Sequence, residues 1–360
     1  IAKSLKSRTR RINQRFFDPS IFWSVERGVQ LSPLPAIYFG GTLRSDVVIM
    51  VSLKLKFANM FMSIFVKRLS DKIPVGLQRR LLQMNADTTL PIGMTREDKE
   101  LGGTQVSIFS PPQSPSDRCI FYMHGGGHLA GNPDTHANFL TLLGMSTGLD
   151  VIATNHRLAP EHPFPAGLDD VISAYDALIE TGFSAENIIL MGESAGGNFV
   201  FALLHELCSR GQPPGLAIAL SPWTDLTASG PSYQYNARAD HALVPHAFTV
   251  MRNAYAPEQN LRNPLISPVF GEFSGAPPVL IEVAKTEILF SDANLMAKRL
   301  QEFGVNVDLE IWPDALHTFQ VVMPKLKESR EALQKIVDFI KNNKPVTATV
   351  TSKSNSANCI

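Results

Sequence analysis

Short apolar runs alternate with longer amphipathic ones from about residue 104 to residue 341. The short runs are rich in Val, Ile, Leu and Phe and are predicted to be strands: 105–109, 119–123, 151–154, 187–191, 216–220, 279–283 and 307–311. Between them, apolar residues recur at helical spacing near 134–147, 166–180, 195–209, 291–303 and 325–341. This alternation is typical of an α/β fold, in which helices cover both faces of a mostly parallel sheet.

Two segments depart from this rhythm. Residues 220–278 are rich in Pro, Tyr and Asn and contain one modest helical pattern near 245–255, so we interpret them as an insertion between two strands. Residues 45–69 carry apolar side chains at helical spacing and predict an amphipathic helix. Lys54 and Lys56 interrupt its apolar run, and each would cost roughly 2.5–3.5 kcal/mol in a bilayer, which argues against a transmembrane segment. Such a helix packs either on the protein's own core or on a lipid surface.

Composition narrows the classes of function. The 360 residues include 33 Lys and Arg and 33 Asp and Glu, so the formal net charge is zero and no nucleic-acid partner is expected. Hydrophobic residues make up 44% and charged residues 18%, which allows a large core and excludes disorder over most of the chain. Three cysteines at long spacings form no disulfide framework. No spacing typical of metal ligands occurs, so no metal site is expected.

The two ends of the sequence carry distinct compositions. Residues 1–17 contain six basic residues and no acidic one. This fits the remnant of an organellar targeting peptide, a patch that contacts anionic lipid, or a solvated basic arm, and the sequence leaves these open beside a cytoplasmic location. Residues 344–360 are rich in Thr, Ser and Asn, and we expect them to form a disordered tail.

The segment Gly192-Glu-Ser-Ala-Gly196 is the strongest candidate for chemistry. A buried strand pattern runs into it and a helical pattern follows it, which is the strand–turn–helix arrangement of a nucleophile elbow. Glycine at both ends allows the tight turn, which holds the central serine in a strained conformation with its hydroxyl exposed. We therefore predict that Ser194 is a nucleophile.

A run of three glycines, His124-Gly-Gly-Gly127, directly follows the predicted strand 119–123. Acyl transfer needs backbone N–H groups aimed at the developing oxyanion, and glycines let the main chain approach the substrate. The expected donors are the amides of Gly125 and Gly126, together with that of Ala195 after the nucleophile. A dinucleotide or phosphate loop is disfavoured, because the GxGxxG pattern is absent.

The base and the acid are predicted from chain order, since on this kind of fold the nucleophile, acid and base follow one another in that sequence. Four histidines follow Ser194, and three of them lie in a helix or in the insertion: His205, His241 and His246. His317 follows the last predicted strand and a short loop, which suits a base. Glu287 lies in the loop after strand 279–283, whereas Asp292 begins the next helix, where a carboxylate already complements the helix N-terminus. We therefore predict His317 as the base and Glu287, in preference to Asp292, as the acid that orients it.

With these residues in hand, the chain resembles the hormone-sensitive-lipase-like family of α/β-hydrolase esterases over residues 104–340. The motifs that carry the resemblance are HGGG at 124–127, HRLAPEHPFPAGLDD at 156–170, GESAGG at 192–197, SPWTDL at 221–226, the block 287–292 and DALHTF at 314–319. The sequence departs from the family at Glu193, where Asp or Thr is common, at His156, where Tyr is usual, and at His128, where an aromatic is usual at the rim of the acyl site.

The resemblance implies an α/β-hydrolase fold with a helical cap. Residues 1–100 would form an N-terminal arm and cap helices, and residues 101–343 the catalytic core with a cap insertion near 224–262. The inner face of the cap, including the helix 45–69, would then be apolar where the substrate passes. The family's nucleophile, acid and base fall on Ser194, Glu287 and His317.

The resemblance also implies a serine carboxylesterase, with a role in lipid metabolism, that hydrolyses short- to medium-chain acyl esters through an acyl-enzyme intermediate. The substrate would be a small-molecule ester, and no cofactor or metal is needed. An amidase or deacetylase of aryl amides or sterol acetates shares the same core motifs and stays open. A non-catalytic receptor of the gibberellin-receptor type is disfavoured, because His317 is retained. Peripheral membrane contact and a homodimer also stay open.

Overall fold

The computed structural model describes residues 52–61, 63, 67, 73–115 and 117–343 of the chain. The predicted basic arm and the predicted C-terminal tail lie outside the described residues. The strands are β1 (Thr95–Leu101), β2 (Thr104–Ser110), β3 (Cys119–Met123), β4 (Asp150–Thr154), β5 (Ile188–Glu193), β6 (Leu216–Leu220), β7 (Val279–Ala284) and β8 (Val307–Trp312). The α-helices of this part of the chain are α1 (Leu53–Phe61), α2 (Val75–Met84), α3 (Pro133–Thr147), α4 (Ala166–Glu180), α5 (Ala195–Ser209), α6 (Ser232–Tyr235), α7 (Pro245–Tyr255), α8 (Phe290–Glu302), α9 (Phe319–Val322) and α10 (Lys327–Asn342).

The strands form one sheet in the order β1-β2-β4-β3-β5-β6-β7-β8. The six strands from β3 to β8 run parallel to one another. Strand β2 is antiparallel to both of its neighbours, β1 and β4. Every residue of β3, β5, β6 and β7 is buried, because helices cover both faces of the sheet. The predicted mostly parallel α/β sheet is therefore confirmed.

Strand β1 is the one strand of the described sheet that the apolar pattern does not predict. Its sequence, TREDKEL, is mostly charged, and most of its side chains are exposed. It lies at the edge of the sheet and pairs only with β2, from Thr95 opposite Ser110 to Leu101 opposite Thr104. A charged edge strand discourages pairing with another chain, so its sequence reflects solvent exposure and not core packing.

The predicted insertion lies between β6 and β7. It contains α6, α7 and a 3-10 helix at Pro268–Phe270, and α7 matches the helical pattern near 245–255. Phe248 packs edge-on against both Trp223 and Tyr233, with ring centroids 5.3 Å and 5.2 Å apart. These aromatic contacts hold the insertion over the carboxyl end of the sheet, close to where β5 ends.

The described part of the amphipathic segment 45–69 forms α1 and packs on the protein's own core. Leu55 is 1% exposed and belongs to an apolar cluster with Trp312, Leu316 and Phe319. The backbone amide and the hydroxyl of Ser52 both donate to the carboxylate of Glu328 on α10. In the part of the chain that the structure describes, no helix is both long and apolar enough to cross a bilayer.

Candidate active site

The nucleophile elbow has the geometry that its glycines require. Strand β5 ends at Glu193, helix α5 begins at Ala195, and Ser194 between them has φ 54° and ψ −118°. A Cβ at position 196 would lie 2.0 Å from the carbonyl oxygen of Met123, and one at 192 would lie 2.6 Å from the same oxygen. Only glycine fits at these two positions, and the strained serine is presented at the N-terminus of α5.

Ser194 and His317 border the same cavity, which has a volume of about 520 Å³. The predicted oxyanion loop, residues 124–127, contributes its three glycines to the wall. Apolar side chains from α2, α7 and α9 form much of the remaining lining: Val75, Leu82, Phe248, Val250, Met251, Val321 and Val322. The arrangement provides an apolar chamber above a polar reaction centre, which suits an uncharged organic substrate.

Helix α1 does not line this cavity, so the expected placement of segment 45–69 along the substrate path is wrong for its described residues. The physical reason is that the buried side of α1 is occupied by the cluster around Trp312 and Leu316. The N-terminal residues that reach the cavity belong instead to 73–82, in and just before α2.

His317 is held by Glu287. The Nδ1 atom of His317 lies 2.6 Å from Glu287 Oε2, and the Glu287 side chain is 1% exposed. The other oxygen, Oε1, accepts hydrogen bonds from the hydroxyl of Ser221 at 2.8 Å and from the amide of Ala284 at 2.7 Å. Burial by itself lowers the pKa of His317, but the hydrogen bond and the charge of Glu287 outweigh it, so the pKa is raised.

Asp292 occupies a separate position. Its Oδ2 accepts the backbone amides of Thr224 and Asp225, both at 2.9 Å, and it makes no contact with His317. Burial raises the pKa of the Asp292 carboxyl well above its ordinary value. Of the two candidate acids, Glu287 is therefore the one that contacts His317, while Asp292 holds the backbone at the start of the insertion.

The expected oxyanion donor Gly125 does not fit that role. Its amide donates to Glu193 Oε1 at 2.5 Å and is thus already occupied. In the described part of the chain the amides of Gly126, Gly127 and Ala195 donate to no acceptor, so these three are free for a substrate oxygen. Gly126, at φ 112°, also accepts the amides of residues 129 and 130 through its carbonyl, which closes the loop.

Neither the free amide of Gly127 nor the bond from Gly125 to Glu193 is among the features predicted from the sequence. The signals for both were present, because three consecutive glycines offer two adjacent donors after the first is taken. A glutamate beside the nucleophile also has a side chain long enough to reach the glycine loop. What the sequence did not contain was the distance between the two segments.

Three histidines near the loop are structural. His124 Nδ1 lies 2.8 Å from the Gly125 carbonyl oxygen, and its ring stacks on His156 with centroids 4.1 Å apart. Burial lowers the pKa of His156 and of His128 to about 3. His128 stacks on Tyr255 at 3.7 Å, 3% exposed, and does not line the cavity, so its expected place at the rim of the acyl site is wrong.

A second serine–histidine–aspartate arrangement lies outside the cavity. Ser63 Oγ is 3.0 Å from His241 Nδ1, and His241 Nε2 is 2.7 Å from Asp314 Oδ1. None of the three borders the chamber described above, and Ser63 is not followed by the glycine turn that exposes Ser194. The arrangement links the N-terminal segment, the insertion and the loop before His317.

The fold and the strand–serine–helix elbow define an α/β-hydrolase. In agreement, the family model described as alpha/beta hydrolase fold matches residues 120–321, which is more than half of the chain. An acetyl-hydrolase of Streptomyces hygroscopicus is 33% identical over 231 residues, which cover 64% of this chain and 77% of the relative.

Two solved esterase structures are similar to this chain and indicate a narrower family within the α/β-hydrolases. An esterase from the bacterial hormone-sensitive lipase family is 30% identical and superposes with a TM-score of 0.77, covering 82% of this chain and 100% of the other. The esterase EstE5, in a crystal soaked with p-nitrophenyl butyrate, is 28% identical with a TM-score of 0.77, covering 81% of this chain and 99% of its own. The chain belongs to the hormone-sensitive-lipase-like family of α/β-hydrolases and is a carboxylic ester hydrolase.

Proposed function

We propose that the protein is a serine carboxylesterase that hydrolyses short- to medium-chain acyl esters through Ser194, His317 and Glu287. The observation that carries the proposal is that Ser194 and His317 border one apolar chamber while a buried carboxylate holds His317 from behind. Because Nδ1 of His317 is bound to Glu287, Nε2 is the ring nitrogen left to exchange a proton with the serine.

The reaction proceeds by two acyl transfers. His317 takes the hydroxyl proton as Ser194 Oγ forms a bond to the ester carbonyl carbon, and the amides of Gly126, Gly127 and Ala195 stabilise the oxyanion. The carbon–oxygen bond to the alcohol then breaks, and the alcohol leaves with the proton from His317. Water, deprotonated by His317, attacks the acyl-enzyme in the same way and releases the carboxylic acid and free Ser194.

The substrate class is supported by the size and polarity of the chamber. A volume of about 520 Å³ with apolar walls accommodates an acyl chain of a few carbons and the alcohol part of a small ester. The relative named acetyl-hydrolase and the EstE5 crystal soaked with p-nitrophenyl butyrate also favour short chains. We further propose that α2 and α7, which both border the chamber, act as its cap.

The test compares Ser194→Ala with a matched control, Ser63→Ala, since Ser63 also contacts a histidine that contacts an aspartate. With p-nitrophenyl acetate and butyrate, Ser194→Ala should lose activity by roughly 10⁴-fold or more, and Ser63→Ala should retain wild-type kcat within about tenfold. Wild-type-like activity of Ser194→Ala would mean that the nucleophile is misassigned.

The amidase alternative is separated by a substrate pair. The wild-type protein is assayed with p-nitrophenyl butyrate and with the matching p-nitroanilide. A higher kcat/KM for the ester supports the proposal, and a higher value for the anilide favours the amidase. The receptor alternative requires a stoichiometric complex without turnover of either compound, and the His317–Glu287 contact argues against it.

A further inference from the structure

Glu193, the residue before the nucleophile, has a side chain that lies beneath the oxyanion loop. It is 2% exposed, and its carboxylate has three partners. Oε1 accepts the amide of Gly125 at 2.5 Å and lies 2.8 Å from His136 Nε2, while Oε2 accepts the hydroxyl of Tyr122. A buried carboxylate is stable only when it is paired and hydrogen-bonded, and here both conditions are met.

The hydrogen-bond geometry assigns the protons of His136. Its Nδ1 is 3.0 Å from the carbonyl oxygen of Asn132, which can only accept, so Nδ1 carries a hydrogen. The nearby Thr135 hydroxyl donates to the same carbonyl, so it too can only accept from the ring. Nε2 faces a carboxylate that already receives two other donors. One proton therefore lies between Nε2 and Glu193 Oε1, which are 2.8 Å apart, and the ring is an imidazolium when Glu193 is ionised.

The neighbouring titratable groups support this charge assignment. Burial by itself raises the pKa of Glu193 and lowers that of His136, yet their mutual attraction and hydrogen bond outweigh burial, so the pKa of Glu193 is lowered and that of His136 is raised. His124 and His156 face the pair, and burial lowers both of their pKa values. Burial also raises the pKa of Tyr122 well above its ordinary value. Within this cluster, His136 is therefore the counter-charge of Glu193, and outside it the charge of Glu193 also contributes to the raised pKa of His317.

We propose that Glu193 and His136 form a buried ion pair that positions the oxyanion loop. Glu193 holds the amide of Gly125, so that the next two amides, of Gly126 and Gly127, face the cavity. His136, on α3, keeps Glu193 ionised and fixed. This inference rests on the proposed function, because it assigns a purpose to the same loop. Both residues border the cavity, but in this proposal they act through the amide of Gly125, so they are positioning residues.

The test is Glu193→Gln, which keeps the shape of the side chain and removes its charge. With p-nitrophenyl butyrate, kcat should fall roughly 10- to 100-fold, less than for the loss of a donor itself, and KM should change less than about threefold. The affinity for an alkyl trifluoromethyl ketone, whose adduct with the serine carries an oxyanion, should fall by the same factor as kcat/KM. A defect in folding or in substrate binding alone does not produce this match.

The matched control is Glu282→Gln, the same change at an equally buried carboxyl on β7. Glu282 accepts from Gln320 Nε2 at 2.6 Å, and burial raises its pKa to about 8. Its kcat and its affinity for the ketone should stay within about threefold of wild type. If Glu193→Gln does not fold, His136→Gln replaces it with the same expectation. Where both variants fold, the fall in kcat of the double variant should be no larger than that of Glu193→Gln alone, because both residues act through one ion pair.

Two outcomes would overturn the proposal. One is a folded Glu193→Gln with kcat within threefold of wild type. The other is a fall in kcat/KM with unchanged affinity for the ketone, which would place the effect outside the oxyanion loop. Ser194→Ala, assayed in parallel, separates this failure from failure of the proposed function. If Ser194→Ala is inactive while Glu193→Gln behaves as wild type, only the positioning role is lost.

Discussion

The change Glu287→Gln tests whether Glu287 keeps the ring proton of His317 on Nδ1, as the proposed triad requires. The Oε1 site of Glu287 receives two hydrogens, from the Ser221 hydroxyl and the Ala284 amide. In the glutamine variant the amide oxygen must stay there, because an NH₂ group would face two donors. The NH₂ group then faces His317 Nδ1, which must accept, and the ring proton moves to Nε2. A histidine with its proton on Nε2 cannot take the proton of Ser194.

The expected loss follows from this tautomer. An equivalent change in serine proteases lowers kcat roughly 10⁴-fold, which corresponds to about 5.4 kcal/mol in the activation free energy. The assay is kcat/KM for p-nitrophenyl butyrate, with folding checked by circular dichroism. The matched control is Asp292→Asn, whose amide oxygen can still accept the two backbone amides at Oδ2. It should retain activity within about tenfold.

Two results would refute the reasoning. Similar losses in Glu287→Gln and Asp292→Asn would mean that the change acts through the general packing of the site. A Glu287→Gln variant within tenfold of wild type would mean that the carboxylate does not set the tautomer of His317.

Three further predictions concern the site and its walls. As the pH is lowered, kcat/KM should fall with an apparent pKa above the ordinary value of histidine, because His317 must be neutral to act and its pKa is raised. An apparent pKa below the ordinary value would contradict the arrangement. Gly196→Ala should lower the free energy of unfolding by about 1–3 kcal/mol, since its Cβ meets a backbone oxygen, while Gly76→Ala, with open space around it, should not destabilise the protein in the same urea titration. Met251→Ala, which clears the side chain lying against Gly127, should raise the ratio of kcat/KM for octanoate to that for butyrate by roughly fourfold per methylene accommodated; an unchanged ratio would place the end of the acyl chain elsewhere.

The parts of the candidate site whose placement follows from the sequence are those encoded locally. The elbow at Ser194 needs glycine at 192 and 196 for contacts within a few residues and with the adjacent strand, so the motif carries its own geometry. His317 follows from chain order on a known topology. The strands at the centre of the sheet are equally accessible to prediction, because burial on both faces leaves a continuous apolar run.

The parts that the sequence does not predict depend on pairs that are distant along the chain. Gly125 and Glu193 are 68 residues apart, and only their contact reveals that the first glycine amide is occupied. Strand β1 pairs through its backbone at an exposed edge, where side-chain polarity reflects solvent and not secondary structure. In both cases the deciding interaction involves the main chain, which no pattern of side chains records.

Helices α1 and α2, both N-terminal to the sheet, contact different parts of the site. Helix α1 contacts the part of the core that leads to His317, since Asn59 Nδ2 lies 3.4 Å from Asp314 Oδ1, three residues before His317. Helix α2 instead lines the chamber, and Arg79 anchors it through its bond to the carbonyl oxygen of Leu129 at 2.6 Å. A substitution on the buried face of α1 should therefore act through the position of His317 and lower kcat. One on the cavity face of α2 should act through the substrate and change KM or chain-length preference. Leu55, one of the apolar positions in the helical pattern, is buried as its spacing predicts, but burial against the histidine loop and burial against a substrate have the same pattern.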